Sequence, residues 1–420
     1  MRVVVLGAGL VGLTTAYYLQ RAGQTVVVLD RNPGPGLETS YANGGLLHAS
    51  LVEPWNAPGI LGYALRHLGR EDSAMLLRLR ALPGLVGWGL EFLRNSSPER
   101  FQRNTRRNLA LARLSLASMR ELRADTALEY QQSFKGTTLV FRSPASAAAA
   151  RRDAEALAED GIVHQWLDRD ALVRHEPALA PVADELCGGL HYAGDEAGDA
   201  YEFCRGLAGL LSARGAELRF GTEVHRFTVH GGRVVAVPTP MGPVAGDAFV
   251  LACGSASAAL AARTGLRLPI RPATGYSITV ARRPGDGAPA IPIIDYVMHV
   301  AITPLGSDRL RVVGTAELAG YDRSLRPARI QNLVKVLERT LPRFAAQMDR
   351  RDLKPWAGLR PMSADGVPVL GATRFENLYL NAGHGHLGWT LAAGSGRIVA
   401  DAVLGRQPPL ALADYQLDRF

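Results

Sequence analysis

The run Arg2-Val3-Val4-Val5-Leu6-Gly7-Ala8-Gly9-Leu10-Val11-Gly12 joins a short apolar, β-branched segment directly to three spaced glycines. Residues 13–21 are typical of a helix, Gly23 ends it, and residues 25–29 form a second apolar run that ends at Asp30. This order of strand, glycine turn, helix, strand and terminal acid predicts a βαβ unit that binds a dinucleotide.

Each part of this unit has an expected role. Gly7 makes the tight turn, Gly9 lets backbone amides approach a pyrophosphate, and Gly12 lets the helix pack on the strand. The free amides and the dipole of the helix N-terminus favour the pyrophosphate, with Leu10 and Val11 as further expected contacts. The ribose hydroxyls are expected at Asp30 and the adjacent Arg31. An acid at position 30 argues against a 2′-phosphate, which leaves NAD or FAD.

A second glycine cluster lies near the C-terminus, between a predicted strand at 377–381 and a predicted helix from about 390 to 404. No second strand with a terminal acid follows, so this is not another dinucleotide unit. A helix N-terminus here would stabilise the negative charge of a reduced flavin; the alternative is an ordinary glycine-rich helix start. The expected contacts are His384, Gly385, Leu387, Gly388 and Trp389.

Two strand-and-turn segments between these clusters complete the pattern. Residues 217–220 lead into a contact loop that ends at Val224, and residues 249–252 lead into Cys253 and Gly254. Four such elements in this order are typical of a discontinuous FAD-binding domain rather than of an NAD fold. FAD is therefore the predicted cofactor.

Composition excludes several classes of protein. The chain of 420 residues is long enough for two domains, and its net charge of +8 comes from scattered arginines rather than a basic run, so no nucleic acid is expected. Three cysteines predict no disulfide framework and no metal site.

No signal peptide and no run of about 18 apolar residues are present, which favours a cytoplasmic protein. The segment 59–93 predicts a packed helix pair or, alternatively, a peripheral contact with the inner face of the cell membrane.

Several motifs along nearly the whole chain resemble the glycine/D-amino-acid oxidase superfamily, and within it the flavin-carrying chain of the bacterial D-amino-acid dehydrogenases. The motifs that carry this resemblance are Glu38-Thr39-Ser40-Tyr41-Ala42-Asn43-Gly44-Gly45, Pro54-Trp55, Ala57-Pro58-Gly59, Leu93-Arg94-Asn95, Gly275-Tyr276-Ser277-Ile278-Thr279, Trp356-Ala357-Gly358-Leu359-Arg360-Pro361-Met362, Gly383-His384-Gly385 and Leu387-Gly388-Trp389-Thr390.

The resemblance implies noncovalent FAD and electron transfer to a quinone or an electron-accepting partner subunit. It implies that Arg360 binds the substrate carboxylate, for which a guanidinium offers two parallel donors, with Tyr276 as a candidate second ligand. It also implies flavin contacts at Gly358 and along the segment 39–47. The contacts expected in that segment are Thr39, Ser40, Ala42, Asn43, Gly44, Gly45, Leu46 and Leu47.

This chain departs from the dehydrogenase pattern where the substrate is expected. Residues 46–53, Met298 and His386 replace other residue types of that family. The polar side chains near these positions, which include His48, Glu53, Tyr296 and His299, favour a narrower substrate such as a cyclic D-imino acid, D-proline or D-hydroxyproline. The alternative is that they are structural and that D-alanine is accepted equally well.

The predicted fold is α/β, with a discontinuous Rossmann-like FAD-binding domain (1–80, 145–180, 200–265 and 356–420) and an antiparallel-sheet substrate domain (81–144, 181–199 and 266–355), as in D-amino-acid oxidase. Strands are expected near 136–141, 188–192, 277–280, 300–303 and 310–314, with helices at 101–125 and 328–340 packed on that sheet.

The predicted activity is oxidation of a small D-amino acid by hydride transfer from Cα to flavin N5, which gives the imino acid and then the keto acid. Two alternatives stay open. One is a glycine- or sarcosine-type amine oxidase that uses O₂, and the other is a non-catalytic flavin-binding subunit of a larger complex.

Overall fold

The computed structural model describes residues 1–420, and its strands form two large sheets and two small ones. The strands are β1 (Arg2–Leu6), β2 (Thr25–Leu29), β3 (Leu46–Leu47), β4 (Met75–Leu77), β5 (Thr137–Phe141), β6 (Gln165–Leu167), β7 (Gly188–Tyr192), β8 (Glu196–Ala197), β9 (Glu217–Arg219), β10 (Thr228–His230), β11 (Arg233–Val237), β12 (Val244–Ala245), β13 (Ala248–Leu251), β14 (Ile270–Ala281), β15 (Ile293–Asp295), β16 (Val300–Leu305), β17 (Arg309–Leu318), β18 (Lys354–Ser363), β19 (Val369–Ala372) and β20 (Leu378–Ala382). The helices are α1 (Leu10–Arg21), α2 (Ile60–Arg66), α3 (Leu82–Arg94), α4 (Pro98–Thr126), α5 (Pro144–Glu159), α6 (Arg169–His175), α7 (Ala200–Ala213), α8 (Ser257–Ala262), α9 (Pro327–Thr340), α10 (Pro342–Gln347) and α11 (Gly388–Val403).

The first large sheet has the strand order β19-β20-β13-β1-β2-β9 and is parallel except for its edge strand β19. Strand β1 pairs in parallel with β2 on one side and β13 on the other. Its residues 3–6 are buried, as expected for a parallel strand covered on both faces. The predicted βαβ unit is present, and α1 starts three residues earlier than the sequence indicated because Leu10 already begins the helix.

Helix α11 packs on α1 and α4 at very short range. A Cβ at Gly394 would lie 2.9 Å from the backbone of Ser115 in α4, and one at Gly396 would lie 2.8 Å from the backbone of Thr14 in α1. The helix expected at 101–125 therefore covers the parallel sheet, not the antiparallel one. The periodicity of α4 predicts a buried face but not its partner, because the glycines of α11 that contact it lie almost 300 positions away in the chain.

The second large sheet has the order β18-β14-β17-β16-β15-β5-β7-β6, with β4 added beside β17. All five short strands expected for the substrate domain lie in this sheet. Strand β6 lies there too, since it pairs antiparallel with β7. Residues 165–167 belong to the range 145–180, which was expected in the FAD-binding domain, but this pairing places them in the antiparallel sheet instead. The domain limits stay a prediction, and β6 favours moving this range to the substrate side.

The segment 59–93 does not form the fully packed helix pair that composition suggested. Helix α3 buries Leu85, Trp88 and Phe92 on one face but exposes Leu82, Val86 and Leu90 on the other, and α2 buries no residue. Its apolar residues therefore form an exposed surface of α2 and α3. No helix of this chain is both long enough and apolar enough to cross a bilayer.

Candidate active site

One cavity with a volume of about 1370 Å³ runs from the glycine turn after β1 to the antiparallel sheet. Sites for small ligands usually have volumes of roughly 300–1,000 Å³. The size and the elongated course of this cavity therefore suit a large cofactor together with a small substrate. The cavity lies between the carboxyl ends of the parallel strands and the face of the second sheet, where α/β folds bind ligands.

The three glycines after β1 differ in what surrounds them. A Cβ at Gly12 would overlap the carbonyl of Gly7, and one at Gly7, where φ is +109°, would overlap the carbonyl of Ala252. These two glycines allow close packing within the protein. Gly9 instead faces the cavity, and the nearest atom to its Cβ position is Ser40 Oγ at 3.5 Å. The space beside Gly9 fits a pyrophosphate approaching the start of α1.

Asp30 has a second role that the sequence did not reveal. Its Oδ2 accepts a hydrogen bond from the Ala8 amide at 2.7 Å, and its Oδ1 accepts one from the Asn32 amide at 2.8 Å. The carboxylate thus holds the glycine turn in place. Oδ1 also accepts a hydrogen bond from Asn32 Nδ2 at 3.0 Å, so the acceptor capacity left for ribose hydroxyls at the cavity wall is the second lone pair of Oδ2.

The segment Asn43–Gly45 forms another part of the cavity wall. The Asn43 side chain accepts a hydrogen bond from the Gly45 amide at 2.9 Å, and Thr303 Oγ1 donates to the Gly44 carbonyl at 2.8 Å. Helix α11 begins at Gly388, which lines the same cavity, so its free amides lie next to it. A preformed loop and a helix N-terminus, both expected to contact the flavin, therefore line one cavity.

The predicted cofactor contacts fall into two groups. Those that line the cavity are Gly7, Gly9, Leu10, Val11, Asp30, Arg31, Thr39, Ser40, Ala42, Asn43, Gly44, Gly45, Leu46, Val224, Cys253, Gly254, Gly358, His384, Gly385, Gly388 and Trp389. Gly12, Leu47 and Leu387 do not line it. Gly12 packs on Gly7, and the two leucines belong to the hydrophobic core.

Arg360 lies at the other end of the cavity without an acidic partner. It extends from β18 over Gly275 of β14, where any Cβ would overlap its guanidinium. Its Nη1 donates to the Thr315 carbonyl at 3.1 Å, and the guanidinium lies 5.5 Å from the centre of the Trp55 ring. Burial lowers the pKa of Arg360 to about 10, so it stays charged at neutral pH. A partly buried guanidinium without an acidic partner is suited to an anionic ligand.

Tyr276 also lines the cavity, but its hydroxyl is already engaged. It donates to Glu317 Oε2 at 2.9 Å, and Glu317 in turn pairs with Arg326 at 3.0 Å. Burial, followed by the Glu317 charge, raises the pKa of Tyr276. A direct bond from Tyr276 to a substrate carboxylate would have to replace the bond to Glu317, which sequence inspection did not reveal.

The three candidate histidines all line the cavity, and two of them lie in its interior. His386 stacks on Trp55 with ring centres 5.2 Å apart, and burial lowers its pKa to about 3. His48 is buried, with its pKa lowered to about 4 for the same reason. Both imidazoles are therefore neutral at neutral pH and able to accept a hydrogen bond. His299 is exposed at the rim, with a φ of +49°.

Glu53 and Tyr296 lie in a further arm of the cavity with two residues that the sequence did not single out, Asp153 and Tyr192. Burial raises the pKa of Glu53 to about 7. The negative charge of Asp153 also raises it, while a hydrogen bond to the backbone of Glu53 lowers it. Asp153 lies in an alanine- and arginine-rich helix, α5, where no sequence signal marks it. Nothing in the sequence indicated Thr315, whose carbonyl accepts a hydrogen bond from Arg360, because only strand pairing brings these two residues together across 45 positions.

Residues 2–402 match the DAO family of FAD dependent oxidoreductases. The chain belongs to this family. This FAD dependent oxidoreductase thus has the cofactor that the glycine pattern predicted, and the resemblance noted in its motifs is confirmed.

Curated relatives match over the full length. A D-amino acid dehydrogenase of Paramagnetospirillum magneticum is 45% identical and covers 100% of this chain and 99% of the relative. One of Cereibacter sphaeroides is 44% identical, with 100% and 95% coverage. Among solved structures, glycine oxidase from Geobacillus kaustophilus has a TM-score of 0.78 at 24% identity, with 100% and 99% coverage. L-proline dehydrogenase from P. horikoshii has a TM-score of 0.76 at 16% identity, with 100% and 98% coverage. These two structures confirm the fold.

Proposed function

We propose that this oxidoreductase oxidises a small D-amino acid to the imino acid, which water converts to the keto acid, and that it is a dehydrogenase rather than an oxidase. The observation that carries the proposal is the partly buried guanidinium of Arg360, which faces the cavity without a carboxylate partner. The full-length relatives named D-amino acid dehydrogenase support the choice of substrate class.

The residues around Arg360 explain how a substrate would be held. The guanidinium binds the α-carboxylate through two parallel hydrogen bonds, and the Thr315 carbonyl and the Trp55 ring fix its position. The neutral imidazoles of His48 and His386 can each accept a hydrogen bond from an N–H group of the substrate amine. The carboxylate anchor and the amine contact together select which face of Cα is presented to the cofactor. FAD, when bound, supplies the acceptor for the hydride.

The finer proposal is a cyclic D-imino acid. A ring amine is short and rigid, and Glu53, His48 and His386 offer polar partners for a ring nitrogen or a ring hydroxyl in the same cavity. A site built around such a group rejects analogues that lack it, because its own polar atoms are then left unpaired.

We expect kcat/KM to be higher for D-proline and cis-4-hydroxy-D-proline than for D-alanine and D-phenylalanine, by roughly 10-fold or more. Steady-state kinetics with an artificial acceptor measures all four under identical conditions. A higher value for D-alanine or D-phenylalanine than for both ring compounds would reject the cyclic substrate and leave the D-amino-acid proposal intact.

The acceptor that we propose is a quinone or a partner subunit. The exposed apolar surface of α2 and α3 supports a peripheral contact with a membrane, where a quinone is found. Ile60 and Tyr63 of α2 also line the cavity, so this surface is continuous with the cavity. Arg66 on this surface is exposed and has no acidic partner, which suits an anionic lipid surface, whereas Arg70 and Arg80 pair with Asp72 and Asp322.

A further inference from the structure

Arg311 is a second buried arginine without an acidic partner, and it lies outside the substrate end of the cavity. It is 5% exposed on β17, and no carboxylate oxygen lies within 4.0 Å of its guanidinium. Its Nη1 donates to the Asn43 carbonyl at 3.1 Å, while its Nε has no partner. The neighbouring Arg309, on the same face of the strand, pairs with Asp199 at 2.8 Å.

A comparison with Arg329 shows how unusual this environment is. Arg329 is completely buried, but it donates to the carbonyls of Glu71, Ser73 and Ala316 and lies 3.9 Å from Glu317. Burial lowers the pKa of Arg311 to about 10, so it is charged at neutral pH. A charge that is desolvated to this extent is normally compensated by a nearby anion, and the chain itself supplies none in contact with Arg311.

The position of Arg311 identifies where such an anion would lie. Asn43, the acceptor of its hydrogen bond, lines the cavity together with Gly44 and Gly45. Val313, two residues along the strand on the same face, lines the cavity as well, and its Cγ1 lies 3.0 Å from the Cβ position of Gly44. Arg311 therefore lies directly behind the cavity wall that its sheet forms with Asn43–Gly45.

We propose that Arg311 is a positioning residue for the cofactor, which holds the Asn43–Gly45 wall and places a positive charge behind it that favours the reduced, negatively charged form of FAD. A fixed charge in a poorly solvated region acts strongly on charge that develops nearby. It adds to the field of the N-terminus of α11, whose first residue, Gly388, also lines the cavity. The proposal concerns FAD alone and does not depend on which amino acid is the substrate.

The test is the reduction potential of the bound flavin in Arg311→Gln and Arg311→Lys, measured by equilibration with reference dyes and a chemical reductant, so that no amino acid is needed. Glutamine keeps a donor for the Asn43 carbonyl but removes the charge. We expect it to shift the equilibrium between oxidised and reduced flavin at least tenfold toward the oxidised form, which is about 30 mV for a two-electron couple. Lysine keeps the charge and should retain most of the wild-type potential.

Arg282→Gln is the matched control. Arg282 also donates to a single carbonyl, that of Gly306 at 3.2 Å, and has an unpartnered Nε, but Gly306, unlike Asn43, does not line the cavity. Its replacement should leave the potential unchanged. An Arg311→Gln protein with wild-type potential, or an Arg311→Lys protein shifted as far as the glutamine variant, would overturn the proposal.

A measurement on the wild-type holoenzyme covers the case in which the glutamine variant does not retain FAD. A positive charge beside the flavin favours addition of sulfite, which bleaches the flavin spectrum and leaves a negative charge on the ring. We expect the wild-type protein to form this adduct and to have a midpoint potential above that of free FAD. Absence of sulfite bleaching together with a potential at or below that of free FAD would overturn the proposal.

Discussion

Replacing Gly9 with valine is expected to give a folded protein that has lost most of its flavin. Within the chain, a Cβ at Gly9 would meet only Ser40 Oγ, at 3.5 Å, so the protein itself has room for it. The added carbons would occupy the part of the cavity where the pyrophosphate approaches the first amides of α1. Overpacking by such groups costs roughly 1–3 kcal/mol, and the FAD-to-protein ratio should fall about tenfold or more.

Absorbance of the purified protein measures the flavin content, and circular dichroism with thermal unfolding measures the fold. Gly12→Ala is the contrasting variant, because a Cβ there overlaps the Gly7 carbonyl and not the cofactor. It should lower Tm sharply, whereas Gly9→Val should keep Tm near that of the apoprotein. A Gly9→Val protein that is as yellow as the wild type would contradict the position assigned to the pyrophosphate.

Replacing Arg360 with alanine is expected to remove nearly all reduction of the flavin by substrate while FAD stays bound. Loss of one partner of a desolvated, charge-assisted pair costs roughly 2–5 kcal/mol, which corresponds to a decrease in kcat/KM of roughly 30- to 4000-fold. Arg360→Lys keeps the charge but not the two parallel donors, so it should raise KM strongly and retain part of kcat. Rapid mixing without oxygen measures the reduction step in each variant.

Arg271→Ala is the control for Arg360. Arg271 lies on the paired strand β14 and donates to the carbonyls of Gly84 and Ile270, outside the cavity. Its removal should change kcat/KM by less than about threefold, as expected for a partly exposed side chain away from the site. Unchanged kinetics in Arg360→Ala, with FAD still bound, would move the carboxylate anchor to another residue.

The cofactor end of the site was predictable from the sequence because its parts are close in the chain. A strand, a glycine turn and a helix within residues 2–30 constrain one another locally, and the acid at Asp30 follows from the same unit. Leu47 and Leu387 were assigned to the cofactor because they lie inside contact motifs. Their side chains pack in the hydrophobic core instead. Whether a residue of a motif contacts the cofactor or the core depends on tertiary packing, which its position in the motif does not show.

The substrate end was predictable only in part, because sheet register creates it. Arg360 was recognised through its motif, but the contact with Gly275 and Thr315 requires β14 to pair with β18 and β17 across long stretches of chain. The engaged hydroxyl of Tyr276 and the proximity of Asp153 to Glu53 also depend on tertiary contacts. The same holds for α4, whose amphipathic pattern did not show which sheet it covers.

The most direct test of the proposed function is reduction of the bound flavin by amino acids in the absence of oxygen. The wild-type holoenzyme is mixed with D-alanine, D-proline and cis-4-hydroxy-D-proline, and with the L-enantiomers and glycine as controls, while flavin absorbance is recorded. We expect at least one D-compound to bleach the flavin, and we expect a quinone analogue to restore the colour faster than air does. A flavin that stays oxidised with every D-compound, or that glycine or an L-amino acid reduces in preference, would contradict the proposed function.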